Sequence, residues 1–156
     1  MPLDPRHVLF RAGGERFALP LESVSEVATP QPPFARVPRT PAAVRGAMNL
    51  RGRVVVVVEL APLLGLAAAP IDDGQGQVVV LERERRVLGF LVEGVLGVEA
   101  VEPTEPASGG LVRGVARLQG GPVPVLDPDA LAEAARRLFG ERAEGQVGDR
   151  PTGPLP

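Results

Sequence analysis

The sequence predicts an all-β protein made of two small barrels, with a short helix near the C-terminal end. Three observations support this: valine-rich runs that favour strands, frequent turn residues, and a strand pattern that occurs twice. The 156 residues include 18 prolines and 19 glycines, too many for long uninterrupted helices and suited to short strands joined by turns. A hydrophobic fraction of 44% is enough to build a core.

The first strands are predicted at the N-terminal end. Val8–Arg11 and Arg16–Leu19 are predicted as strands, and the glycine-containing turn between them favours a hairpin. Val24–Val27 continues as a third strand. Prolines between positions 29 and 41 then prevent regular structure, so we expect an extended loop there.

The stretch 46–60 contains the strongest strand signal. A polar turn, Asn49-Leu50-Arg51-Gly52, leads into the five valines 54–58. Gly46 and Gly52 flank that turn, where the backbone can adopt positive φ or accept a close neighbour. An amide and a guanidinium at a sharply shaped turn are more typical of a recognition surface than of a catalytic one.

The pattern then repeats. Val79–Leu81 and Val87–Glu93 repeat the first hairpin, with Val79 aligned to Val8. Val112-Arg113-Gly114 repeats Val44-Arg45-Gly46, with Val112 aligned to Val44. Two copies of about five strands predict a first barrel at about 7–66 and a second at about 77–127, within one domain spanning 7–139. In the second copy, prolines 122 and 124 alternate with Val123 and Val125, and proline in a strand belongs at edges or bulges. Because Val55 and Val57 match Val123 and Val125, we expect them to point into the first barrel and Val54 and Val56 to point outward.

A helix is predicted over about 128–139. Asp127-Pro128-Asp129 supplies a capping carboxylate, a proline in the first turn and acidic charge at the positive end. Leu131, Ala135 and Leu138 form an apolar stripe, and Gly140 is expected to end the helix. The polar, glycine- and proline-bearing segment 140–156 is predicted to be disordered.

Composition argues against several classes of function. A net charge of −2 provides no general attraction for nucleic acid, no apolar run approaches the roughly 20 residues of a membrane span, and there is no cysteine. The single histidine, His7, has no partners for a metal site or a catalytic triad. We therefore expect a cytoplasmic protein that is not an enzyme, needs no cofactor or metal, binds no nucleic acid and does not insert into a membrane.

Arg51 and Glu26 are the candidate functional pair. Each could be an ordinary polar residue on the surface, but a carboxylate at 26 could also hold the arginine at its turn, ready to meet a partner. The apolar outer positions Val24, Val54, Val56 and Val95 could complete a core or, if exposed together, form a patch that requires a partner.

Several of these motifs resemble the CheW family of bacterial chemotaxis coupling proteins, over roughly residues 7–139. The similarity lies in Phe17–Leu21, in Val24-Ser25-Glu26-Val27, and in the run from Val44 to Leu60 that contains Asn49-Leu50-Arg51-Gly52. The second half is similar as well, at Gly89–Val95, Val112–Val115 and Val123–Asp127.

The resemblance implies two SH3-like five-stranded barrels in a non-enzymatic adaptor. Such a protein would couple the cytoplasmic tip of a chemoreceptor to the regulatory domain of a CheA-type histidine kinase, and would be recruited to receptor arrays at the membrane. The resemblance places the receptor contact in the groove between the barrels, and Val24 joins this set as an apolar outer position. The expected partner-binding residues are Val24, Glu26, Gly46, Asn49, Arg51, Gly52 and Val95.

Two alternatives remain open at this point. One is a CheW-like scaffold in a two-component pathway other than chemotaxis, controlling motility or gene expression. The other is a barrel that binds a small ligand or nucleic acid, which would require a deep polar cavity or a basic groove.

Overall fold

The computed structural model describes residues 5–102, 105–107 and 110–148, in which short strands dominate. The strands are β1 (Arg6–Ala12), β2 (Glu15–Pro20), β3 (Val24–Ala28), β4 (Val44–Leu50), β5 (Arg53–Glu59), β6 (Gln77–Arg83), β7 (Arg86–Val92), β8 (Gly94–Ala100), β9 (Glu105–Pro106), β10 (Val112–Leu118) and β11 (Gly121–Leu126). The helices are α1 (Leu60–Leu63) and α2 (Pro128–Gly148), with a 3-10 turn at Leu21–Ser23.

The strands form two sheets of matching design. One has the order β3-β6-β7-β5-β4, and the other has the order β8-β1-β2-β11-β10 with the two-residue β9 at its edge. Each sheet has one parallel contact, Val57 opposite Gly89 in the first and Val125 opposite Ala18 in the second. The predicted fold class, mostly β in two barrel-like halves with a C-terminal helix, is confirmed.

The predicted repeat also appears in the structure. The hairpin β1–β2 recurs as β6–β7 at the shift from 8 to 79, and β4–β5 recurs as β10–β11 at the shift from 44 to 112. The two parallel contacts obey the same shifts, since Val57 corresponds to Val125 and Gly89 to Ala18. The two sheets are therefore related position by position.

The membership of the sheets differs from the expected boundaries of 7–66 and 77–127. One sheet takes its strands from 24–92, whereas the other combines 6–20 with 94–126. The chain crosses between the sheets at the 3-10 turn Leu21–Ser23 and again at Glu93. A hydrophobic period fixes which face of a strand is buried but not which strand lies beside it, so the repeat alone could not reveal this exchange.

The C-terminal helix is longer than predicted. The backbone stays helical to Gly148, so 140–148 is not the disordered segment that we expected, and 149–156 lies outside the described residues. Gly140 does not end the helix, because an interior glycine costs only about 1 kcal/mol relative to alanine. The next four residues, Glu141 to Glu144, are good helix formers that offset this cost.

Three apolar clusters form the core. The largest is shared by both sheets and α2, and it includes Phe10, Phe90 and Leu131. A second lies in the 24–92 barrel around Val55 and Val57, and a third lies in the other barrel around Val123 and Val125. The shared cluster joins the two barrels into one body.

The four valines whose orientation was predicted have mixed outcomes. Val55 and Val57 are fully buried in the interior of their barrel, as expected. Val54 is 52% exposed, also as expected, whereas Val56 is buried in the shared cluster. The outward face of β5 is therefore covered by the rest of the protein except at its first residues.

Candidate functional site

The turn between β4 and β5 presents Arg51 to solvent. Leu50 pairs with Arg53, leaving a two-residue loop in which Arg51 and Gly52 both have positive φ, 51° and 86°. Positive φ at both positions is characteristic of type I′ turns, whose twist matches that of the flanking strands. The Asn49 side chain supports the turn, because its Oδ1 accepts a hydrogen bond of 2.8 Å from the amide of Gly52.

Arg51 forms an ion pair with Glu26 on β3. The pair connects the β4–β5 turn to the edge strand at the opposite end of the sheet order. Side-chain exposure is 71% for Arg51 and 27% for Glu26. A pair this exposed contributes little to stability, about 0–1 kcal/mol, so its charged groups are available to another molecule.

Two exposed valines lie near this pair along the strands. Val54 lies directly across from Asn49 in the β4–β5 ladder, and Val27, which is 37% exposed, follows Glu26 on β3. We call Glu26, Val27, Asn49, Arg51, Gly52 and Val54 the hairpin surface. Sequence reasoning missed Val27 as a candidate. The bulge between Val24 and Glu26, which changes the alternation of β3, cannot be read from the sequence.

Gly46 has a packing role. It is buried with a φ of 131°, and a Cβ placed there would lie 2.5 Å from the carbonyl oxygen of Ala35 and 2.7 Å from the Cβ of Phe34. The missing side chain lets Ala35 pair with Ala47 through two backbone hydrogen bonds of 2.7 Å. Gly46 thus seats the extended loop against β4, and it is not part of the exposed hairpin surface.

Val24 and Val95 occupy equivalent positions on β3 and β8. Both are half-buried against the shared cluster, and the amide of Val95 donates a 2.7 Å hydrogen bond to Oε1 of Gln77. Val24 adjoins the hairpin surface through Glu26, whereas Val95 lies on the other sheet, beside β1. The shared cluster contains residues of both sheets, and both valines pack against it.

A second charged cluster was not predicted. Nη1 of Arg45 lies 2.8 Å from Glu59 and 2.7 Å from the carbonyl oxygen of Ile71, and Nη2 lies 2.8 Å from Asp73. The amide of Ile71 donates a 2.9 Å hydrogen bond to Glu59, which is only 5% exposed. The segment between α1 and β6 is therefore held against the barrel at Ile71 and Asp73. The available signal was an isoleucine, unique in the chain, within a polar connector.

The described part of the chain offers little for catalysis. It contains no group of three or more histidine, cysteine, aspartate or glutamate side chains that could hold a metal ion. His7 is buried, with Nδ1 2.6 Å from the carbonyl oxygen of Pro5. The hydrogen bond from Arg136 lowers the pKa of Glu133, but this pair lies on the exposed side of α2. No helix within the described ranges is long and apolar enough to cross a membrane.

Fold and surface together define a class of protein, a double-barrel β module that presents a charged hairpin suited to contact with another protein. A family model described as "CheW-like domain" matches residues 6–136. The chain belongs to the CheW-like family, a family of scaffold or adaptor proteins.

Named relatives and a solved structure are similar to this chain. A "Probable chemotaxis protein CheW" of Rhizobium etli is 34% identical over 120 residues, covering 73% of this chain and 76% of the relative. "Protein PilI" of Pseudomonas aeruginosa is 31% identical over 133 residues, covering 80% and 73%. The crystal structure of the scaffolding protein TtCheW from Thermoanaerobacter tengcongensis superposes with a TM-score of 0.69 at 22% identity, covering 80% of this chain and 90% of that one. At that identity the structural match supports the fold alone.

Proposed function

We propose that this protein is a non-enzymatic adaptor that couples chemoreceptors to a CheA-type histidine kinase in bacterial chemosensory signalling. The observation that carries the proposal is the exposed ion pair between Arg51, in the β4–β5 turn, and Glu26, on β3, in a chain that belongs to the CheW-like family. An exposed pair adds little stability, so recognition is the better explanation for a strand-to-turn contact of this kind.

The hairpin surface suits a helical partner. A receptor's helical hairpin would lay apolar side chains against Val54 and Val27, and the guanidinium of Arg51 would anchor a polar group at the rim. Glu26 keeps the guanidinium directed across the surface and reduces the entropy that Arg51 loses on binding. The polar anchor would set orientation, and the valines would supply the desolvated area.

The kinase would bind on another face. Its regulatory domain, which by resemblance has the same barrel fold, would pack against a barrel of this protein while the hairpin surface holds the receptor. Coupling then requires only that the receptor's signalling states differ in how well they favour the kinase states through these contacts. The adaptor would work in the cytoplasm, recruited to receptor arrays at the membrane.

Binding measurements with purified proteins test this proposal. Arg51→Ala and Arg51→His should each weaken binding to a receptor cytoplasmic fragment by roughly tenfold or more, because a charge-assisted contact is worth about 1.5–3 kcal/mol. Both variants should still bind the kinase. Arg36→Ala, at another exposed arginine, is the control and should behave as wild type. Receptor binding that is unaffected by either Arg51 variant would contradict the role of Arg51.

A second candidate is a CheW-like scaffold in a two-component pathway other than chemotaxis. The relative named PilI supports keeping it, because that name does not refer to chemotaxis. The mechanism at the hairpin surface would be the same, and only the partners would differ. Affinity purification from the native cell, followed by identification of the kinase and receptor retained, separates the two candidates.

A further inference from the structure

The barrel formed by residues 24–92 holds a short acidic segment of the chain itself. Arg45 and Glu59 together bind both backbone groups of Ile71, and Arg45 also binds the carboxylate of Asp73. The Ile71 side chain packs on the barrel's apolar cluster, which includes Leu91. We call Ile71–Asp73 the strap and the site that holds it the strap seat.

The other barrel, formed by residues 6–20 and 94–126, has an arginine and a carboxylate at the equivalent positions but no strap among the residues that the structure describes. Arg113 corresponds to Arg45 and Asp127 to Glu59 at the shift from 44 to 112. The backbone agrees at these positions, because the amide of Glu59 donates to Ala43 at 2.7 Å and that of Asp127 donates to Leu111 at 2.8 Å. The two barrels therefore present their arginine and carboxylate from equivalent backbone sites.

The two carboxylates have different uses. Glu59 makes no side-chain cap for α1 and binds Arg45 and the strap instead. Asp127 caps α2, accepting hydrogen bonds of 3.0 and 3.2 Å from the amides of Asp129 and Ala130. Within the described ranges, the structure gives the Arg113 side chain no hydrogen bond or ion pair. Its guanidinium is exposed, and it lines a pocket.

That pocket has a volume of about 330 Å³. It is lined by Pro20, Glu22, Ser23, Arg83, Arg113, Pro128 and Asp129. Pro20 corresponds to Leu91, beside which Ile71 packs in the first barrel, so the pocket lies where a second strap would lie. Pro20 and Pro128 are the apolar residues of a lining that is otherwise polar, so they mark the place for one aliphatic side chain.

Among the described residues that line the pocket, Arg113 is the cation left without an acidic partner. Arg83 is paired with Asp129, and the hydroxyl of Ser23 donates to the carbonyl oxygen of Pro20. Glu22 is exposed at the pocket's edge. Its counterpart in the other barrel, Glu93, accepts a hydrogen bond of 3.2 Å from the amide of Gly14.

We propose that the Arg113 pocket is the unfilled counterpart of the strap seat and binds an extended acidic segment of a partner protein. The segment would have the pattern of the strap, an aliphatic residue followed closely by aspartate. Arg113 binds the aspartate carboxylate and a backbone carbonyl oxygen, as Arg45 does, and the aliphatic side chain rests between the two prolines. This site is separate from the hairpin surface and does not depend on the function proposed for that surface.

A peptide copied from the strap region of this chain can be used to test binding to the Arg113 pocket. A fluorescent peptide with the sequence of residues 67–76 should bind the full-length protein saturably, more weakly at high salt. Arg113→Gln should weaken this binding by roughly tenfold or more, the factor expected for losing a charge-assisted contact. Arg36→Gln, at an exposed arginine away from the pocket, should leave it unchanged. A peptide with asparagine in place of Asp73 should bind roughly tenfold more weakly to the wild-type protein.

Each contrary result would overturn the proposal. No saturable binding below about 1 mM, equal to a binding free energy of only about 4 kcal/mol, would show that the pocket does not accept such segments. Equal binding by Arg113→Gln, or equal binding of the asparagine peptide, would place the peptide elsewhere. Urea unfolding of Arg113→Gln shows whether that variant is folded. If it is not, Arg113→Lys, which keeps the charge but loses the planar fork, should still bind more weakly than wild type.

Discussion

The guanidinium of Arg51 pairs with the carboxylate of Glu26, and the pair joins the β4–β5 turn to the edge strand β3. These elements lie at opposite ends of one sheet's strand order, so the ion pair links the two ends of that sheet. Val27, next to Glu26 on β3, and Val54, at the start of β5, are exposed to solvent. A charged pair with an apolar margin is a surface suited to another protein.

Arg51→Gln should change the free energy of unfolding by less than about 1 kcal/mol, because the pair is exposed. Urea unfolding at neutral pH, compared with wild type, measures this directly. Glu26→Gln is the matched control and should show a similarly small change. A loss in either variant above about 2 kcal/mol, beyond the range of exposed ion pairs, would mean that the pair is chiefly a structural element.

Gly46→Ala should destabilise the protein by roughly 2 kcal/mol or more, because it combines overpacking with backbone strain. The added Cβ would meet Ala35 at 2.5 Å, in a left-handed conformation that already disfavours alanine. Gly52→Ala is the matched control. Its φ is also positive, but nothing lies within 4 Å of the added atom, so a loss of about 1 kcal/mol is expected. Equal losses in urea unfolding would contradict the packing role of Gly46.

Glu59→Ala should cost about 3 kcal/mol, because it leaves Arg45 partly buried without its buried partner and removes the acceptor for the Ile71 amide. Hydrogen exchange at that amide should accelerate strongly. Asp73→Asn, at an exposed carboxylate, should cost less than about 1 kcal/mol. Retained protection of the Ile71 amide in Glu59→Ala would show that the strap is held by packing alone.

The pair Glu133–Arg136 on α2 should make a small, pH-dependent contribution to stability. The hydrogen bond from Arg136 lowers the pKa of Glu133 below its ordinary value of 4.5. A carboxyl group with a lowered pKa in the folded state stabilises the protein above its unfolded pKa, and this is lost as the pH falls through the folded value. Glu133→Gln should therefore be slightly less stable than wild type at pH 7, and the difference should shrink below pH 4.5. A difference that grows on acidification would contradict this assignment.

The strands and the repeat could be predicted because both depend on local signals. Branched residues such as Val54–Val58, turn glycines, and the two shifts that relate the copies fix where strands occur and which faces are buried. The exchange of hairpins between the sheets could not be predicted. It depends on the crossings at Leu21–Ser23 and Glu93, where the chain leaves one sheet and its next strand pairs in the other sheet.

At the candidate site, the ion pair of Arg51 and Glu26 was one of the two interpretations that the sequence left open, and the structure contains it. The strap was missed because its binding arises from three separate segments, carrying Arg45, Glu59 and Ile71, that no local pattern connects. Gly46 was expected at the partner surface because of the family resemblance. Its packing role depends on the close approach of Ala35, which lies in a separate segment and has no signal in the local sequence.

Three-component co-sedimentation tests the adaptor proposal most directly. Receptor cytoplasmic fragments displayed on vesicles are mixed with the kinase, with or without this protein, and sedimented kinase is measured. The kinase should sediment in quantity only when wild-type protein is present, and Arg51→Glu should abolish the effect while Arg36→Glu preserves it. Kinase recruitment that is independent of this protein, or undiminished by Arg51→Glu, would contradict coupling through the hairpin surface.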